Sequence, residues 1–147
     1  MLMKNLKVFS VVFAAMTLFS NASLAADLPT FKCILTDKLA ADGAPESEVD
    51  TFTKTTSNIY YVCQSDNVVQ SQQVKAVWIA VNTNNAAPAN YKIDEKTLAV
   101  DANASSDKIW TATNSVSSPT AGWPLGQYKV ELYVDDKLAT SKLFSIK

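Results

Sequence analysis

The sequence has no histidine and no arginine: every one of its 13 basic residues is a lysine, set against 14 acids in 147 residues. Without imidazole there is no side-chain base with an ordinary pKa near neutrality and no histidine ligand for zinc. Without guanidinium there is no planar fork to clamp a phosphate or a carboxylate. Most common catalytic layouts are excluded with them. Glycine is scarce (3), proline modest (5), and there are two cysteines. No helical segment stands out, whereas Asn, Asp, Ser and Thr punctuate the chain at a spacing that suits short strands.

What is present begins with a targeting segment. Met1 to Lys7 carries Lys4 and Lys7 and no acid, and Val8 to Phe19 is an apolar run broken only by Ser10 and Thr17. Ser23-Leu24-Ala25 then puts small residues at −3 and −1 of a cut before Ala26. This is the layout of a cleavable signal peptide, residues 1–25. The apolar run is shorter than the ~20 residues a bilayer-spanning helix needs. Cleavage removes two lysines and no acid, so residues 26–147 hold 11 lysines against 14 acids, a net charge of −3. That balance, with its lysines dispersed, gives no basic patch for nucleic acid or anionic lipid. About 120 residues make one domain with a single core.

Export sends Cys33 and Cys63 into an oxidising compartment, which predicts one intramolecular disulfide. With 29 residues between them, they lack the C-x-x-C spacing of redox enzymes. Phe31, Cys33 and Leu35 share one strand face, and Ile59, Tyr61 and Cys63 share another, so both thiols point toward a common core.

Along the mature chain, Lys38 to Asp50 reads as a solvated acidic loop, interrupted by Gly43-Ala44-Pro45 and lacking the residue order of a calcium loop. Thr51 to Gln64 reads as extended. Val74 to Val81, apolar on both faces and centred on Trp78, reads as a central strand. Asn82 to Asn90 is a polar connection, followed by short strands at Tyr91–Ile93 and Ile109–Thr113. In the C-terminal third, Tyr128, Val130, Leu132 and Val134 alternate with Lys129, Glu131, Tyr133 and Asp135, a half-buried strand whose outward residues are solvated. Asp135-Asp136 turns the chain into a closing strand, Leu138 to Ile146. Asn103-Ala104-Ser105 matches a glycosylation acceptor, a pattern frequent by chance.

Gly122-Trp123-Pro124-Leu125-Gly126-Gln127-Tyr128-Lys129-Val130 resembles the tyrosine corner that opens the penultimate strand of immunoglobulin-like β-sandwiches of exported bacterial proteins. The resemblance extends loosely from Phe31 to Ile146. It implies an all-β, immunoglobulin-like antiparallel β-sandwich behind the signal peptide. It gives Gly126 and Tyr128 the corner and Trp78 the position of the buried core tryptophan. The cysteines depart from antibody-type domains, since both precede Trp78, and their bridge would join the first strand to the second extended segment. Their placement also resembles chaperone-assembled fimbrial subunits, which are incomplete folds of this type. However, only Ala26 to Lys32 precede Cys33, and the Tyr128 to Ile146 hairpin points to a complete sandwich.

No catalytic pair emerges. Asp135 and Asp136 are neighbours on a turn and point apart, and Ser71 and Lys75 are spaced by four rather than the three of an S-x-x-K motif. The expected protein is a periplasmic or secreted, non-enzymatic binding protein without cofactor or metal. Its expected partner is another envelope or extracellular protein, with no nucleic acid and no membrane insertion after cleavage. A structural subunit of a fimbrial-like surface assembly and a carbohydrate-binding module are the alternatives. Candidate contact residues are the aromatics: Tyr133, which alternates outward; Trp110, undecided between core and surface; and Trp123, which packing over the core end would also explain.

Overall fold

A computed structural model describes residues 27–101 and 109–147. The signal segment 1–25 and the Asn103-Ala104-Ser105 acceptor lie outside them. Eight strands are formed: β1 (Lys32–Thr36), β2 (Thr51–Phe52), β3 (Asn58–Ser65), β4 (Val74–Asn82), β5 (Tyr91–Leu98), β6 (Trp110–Ser117), β7 (Gly126–Val134) and β8 (Lys137–Ile146). They build two sheets, β1-β3-β6 and β2-β8-β7-β4-β5. All pairings are antiparallel except β2 with β8, where Ser145 N donates to Asp50 O and Lys147 N to Phe52 O. This is an immunoglobulin-like sandwich: β1, β3 and β6 stand as strands A, B and E, β4, β7 and β8 as C, F and G, and β5 as the extra strand beside C.

Period-two patterning explains the core. Val74, Ala76, Trp78 and Ala80 of β4 and Tyr128, Val130, Leu132 and Val134 of β7 face inward and are buried against Ile59, Tyr61 and Cys63 of β3. Aromatic rings run through this core in sequence. Tyr61 meets Trp78 edge-on at 6.1 Å, Trp78 meets Phe144 at 6.0 Å, Phe144 stacks on Tyr128 at 5.3 Å, and Tyr128 meets Trp123 at 6.1 Å. These are the edge-to-face and offset arrangements that ring quadrupoles favour.

The disulfide joins Cys33 of β1 to Cys63 of β3, directly opposite one another with Cα atoms 4.1 Å apart. It therefore staples two neighbouring strands of one sheet, and the link between sheets is left to side chains. Asp135 and Asp136 both adopt positive φ (48° and 65°), the two left-handed residues of a type I′ hairpin turn. Asp135 N–H donates to the Gln73 carbonyl and Asp135 Oδ1 accepts from Gln73 N–H, which fastens this turn to the β3–β4 loop.

Two strands are longer than their sequence patterns suggest. β5 continues past Ile93 to Leu98, and β6 past Thr113 to Ser117. Both are the last strands of their sheets, where one side of the ladder is open and charged or hydroxyl-bearing residues replace the apolar ones that mark an interior strand.

Candidate interaction face

The tyrosine corner is formed by local chemistry. Tyr128 Oη donates to the Pro124 carbonyl at 2.6 Å, and Gly126 lies so close to the β4 end that a Cβ there would sit 2.1 Å from Asn82 O. Only glycine fits. Trp78 is fully buried, and its Nε1–H donates to Asn114 Oδ1.

Two of the aromatics read as candidate contacts are withdrawn from solvent. Trp110 packs edge-on against Phe31, and its Nε1–H donates to the Ala99 carbonyl at 3.0 Å. Trp123 covers the end of the core and donates to the Thr56 carbonyl at 2.8 Å. A buried indole is retained when its N–H is satisfied, and both are. Trp110 and Trp123 are therefore core residues rather than contacts.

Tyr133 does lie on the outer face of the five-stranded sheet, half-buried. Its hydroxyl donates to Glu131 Oε2, and Lys75 Nζ stands 5.6 Å over its ring. Glu131, expected to be solvated, is only 8% exposed, because Lys129 Nζ holds it at 2.7 Å from one side and Tyr133 from the other. Burial alone would push its carboxyl up. The hydrogen bonds from Lys129 and Tyr133, with the lysine charge, outweigh that and hold it below its ordinary value. The same bond to Glu131, with burial, raises the Tyr133 phenol. One strand further, Lys75 bridges Glu95 at 3.3 Å and Asp136 at 3.5 Å, and Lys92 reaches Glu95 at 2.7 Å. The bond to Glu95 raises Lys75, although partial burial opposes it, and bonds from Lys92 and Lys75 lower Glu95.

These ion-paired side chains flank Val77 and Ile79 of β4 in register, Glu131 and Lys129 from β7 and Glu95 and Lys92 from β5. On β8, next to them, the sheet leaves two leucines in the open. Leu138 stands opposite Tyr133 in register and is 51% exposed, and Leu143 stands opposite Lys129 and is 66% exposed. The face thus combines an ordered polar centre with an apolar border. Sequence reasoning found Tyr133 but passed over Leu138 and Leu143. Strand parity alone would set these two, five residues apart, on opposite sides; the register irregularity opposite Leu132/Tyr133 brings both to the side of Tyr133.

A depression of about 290 Å³ beside Phe31, Lys32, Asp66 and Ile109, and another of about 300 Å³ beside Glu48, Asp50 and Lys142, bring together no acid–base pair beyond the Glu48–Lys142 ion pair. Among the described residues no three cysteine or carboxylate side chains are grouped to hold a metal. No helix among them is long and apolar enough to cross a membrane.

No protein-family model matches the sequence, and no curated protein does. Among solved structures, the chain is similar to an immunoglobulin-like protein from Pseudomonas aeruginosa. The identity is 10%, the TM-score 0.47, and the match covers 82% of this chain and 94% of that one. It is also similar to part of the alkylpurine DNA glycosylase AlkC of Pseudomonas fluorescens, bound to DNA containing an abasic-site analogue. There the identity is 11%, the TM-score 0.44, and the match covers 82% of this chain and 31% of that one.

Proposed function

We propose that the chain is exported, loses residues 1–25, and acts as a non-enzymatic binding protein that engages another envelope or extracellular protein through the outer face of the β8-β7-β4-β5 sheet. The observation that carries this reading is the border of Leu138 and Leu143 beside the fixed Lys129–Glu131–Tyr133 group. Interfaces between proteins combine apolar anchors with polar groups that are already ordered, so little side-chain entropy remains to be lost on docking. A glycan-binding platform calls for coplanar exposed aromatics, and all three tryptophans are in the core. A subunit awaiting a donor strand calls for an unfilled place beside β7, which β8 occupies along its whole length.

The test is affinity capture from the exported fraction, with the native protein and a Leu138→Glu/Leu143→Glu variant as baits. A partner retained by the native protein and lost by the variant is expected. Equal capture by both would move the site off this face. A hit on a glycan array with no protein captured would replace the reading altogether.

A further inference from the structure

Among the described residues, three of the four sheet edges are guarded by their own length, charge or neighbouring backbone. β5 carries Lys92, Asp94, Glu95 and Lys96 within eight residues and a register irregularity opposite Trp78/Ile79. Charge and irregularity are the usual devices against edge-to-edge pairing. β2 is two residues long, and the outer side of β1 is met by Val49, whose N–H donates to the Leu35 carbonyl at 2.8 Å. β6 differs. Its eight residues, Trp110–Ser117, contain no charge, proline or glycine, and they pair with β3 in unbroken register. Among the described residues, β6 has a strand neighbour on that side only.

Register tells which groups face the open side. In antiparallel sheets, opposed Cα atoms are about 4.5 Å apart in non-hydrogen-bonded pairs and about 5.5 Å apart in bonded ones. Cys33 and Cys63, at 4.1 Å, are a non-bonded pair, so the Cys63 backbone turns toward β6, where it meets Ala112. The Val49 bond to Leu35, two residues from Cys33, obeys the same parity. It follows that Trp110, Ala112, Asn114 and Val116 bond β3, while Thr111, Thr113, Ser115 and Ser117 direct their N–H and C=O groups outward. Lys96 of β5 agrees, since its ammonium donates to the Ser115 carbonyl from outside the sheet.

We propose that β6 is a self-pairing edge: two copies of the chain join antiparallel about a two-fold axis, Thr113 opposite Ser115 and Thr111 opposite Ser117 of the second copy. The strand is its own complement in that register. The outward-bonding residues read Thr-Thr-Ser-Ser in one direction and Ser-Ser-Thr-Thr in the other, so each cross-strand pair sets a threonine against a serine, and hydroxyl pairs of this kind favour pairing. No charge meets a like charge, and on the flanking strand Lys96 is neutralised by Asp94 at 3.5 Å. Two three-stranded sheets become one of six strands. A two-fold contact of this kind closes at the dimer and builds no polymer. Lys96 competes for the Ser115 carbonyl and acts as a latch that keeps the association weak. The proposal uses the sheet opposite the Leu138 and Leu143 face and stands or falls separately from it.

Sedimentation velocity on the mature protein, up to about 1 mM, tests it. A reversible monomer–dimer equilibrium is expected, tightened about tenfold by Lys96→Met. Thr113→Pro removes an N–H that faces away from β3, so it should abolish the dimer while leaving the far-UV spectrum and melting cooperativity intact. Thr113→Lys provides a second route to the same loss without proline. Leu138→Glu/Leu143→Glu should dimerise like the native chain. A monomer at every concentration in both the native protein and Lys96→Met overturns the proposal. So does a dimer indifferent to both Thr113 variants or broken by the leucine variant.

Discussion

Trp78 of β4 and Asn114 of β6 tie the two sheets together through one buried hydrogen bond, indole Nε1 to Oδ1 at 2.8 Å. Because the disulfide lies within the β1-β3-β6 sheet, this bond is the polar link across the centre of the sandwich. Asn114→Ala would leave the indole N–H buried without its acceptor, at a cost of about 1–3 kcal/mol. Urea unfolding measures this. Combined with Trp78→Phe in a double-mutant cycle, it should give a coupling of about 0.5 kcal/mol or more. Additive losses would mean that the contact contributes nothing beyond packing.

The disulfide acts on a different part of the fold. β1 is five residues long and, among the described residues, pairs only with β3, and the bridge closes a loop of sequence separation 30. Chain-entropy reasoning assigns such a loop about 3–4 kcal/mol. Cys33→Ala/Cys63→Ala should therefore fold at a lower melting temperature. Its amide exchange should quicken first at Ile34 and Thr36, whose backbones bond β3 by the parity argued above. Equal acceleration across β4 and β7 would show instead that the bridge supports the whole core.

How legible each feature was depended on whether a strand's own pattern carries it. The β7 alternation and the Asp135-Asp136 turn were readable because a half-buried strand and a tight hairpin are local facts. The length of β5 was hidden, since Asp94, Glu95 and Lys96 read as loop until the strand is known to be an edge. Glu131 was taken as solvated because parity gives the face of a residue but not its neighbours, and here Lys129 and Tyr133 close over it. Trp110 and Trp123 were ambiguous for the same reason: what covers each comes from elsewhere in the chain. Asn114 was overlooked although its inward parity between Ala112 and Val116 marked it as a polar side chain needing a buried partner.

Gly126 and Gly43 make a paired test of the corner. Both have positive φ, 149° and 84°, but an added Cβ at Gly43 meets nothing within 4 Å, whereas at Gly126 it meets the Asn82 carbonyl at 2.1 Å. Gly43→Ala should cost only the left-handed penalty of about 1–2 kcal/mol. Gly126→Ala should cost distinctly more, since the β4 end must move with Tyr128 and Trp123 packed behind it. Thermal melts of the two variants decide the order, and equal losses would mean that the β4–β5 connection yields freely.

The absence of histidine sets the pH profile. No side chain with an ordinary pKa near 6.5 exists to titrate, so stability should be flat across the neutral range. Glu131 and Glu95 lie below their ordinary 4.5 in the fold, so their contribution is full above that value and lost as pH falls through the lowered one. Tyr61, Tyr128 and Tyr133 are raised above 10.0 and Lys75 above 10.5, so theirs is full below those values and lost as pH rises through the raised ones. A plateau between roughly pH 5 and 9.5, with loss on both sides, is the expected result of denaturation at graded pH. Tyr61 allows the alkaline limb to be dissected. Its hydroxyl is buried and has no partner among the described residues, and burial is what raises it. Tyr61→Phe removes a desolvated group that no hydrogen bond repays, so it should raise stability by about 1 kcal/mol at neutral pH. It should also flatten the alkaline loss. A variant less stable than the native protein would mean that a bound water satisfies the hydroxyl.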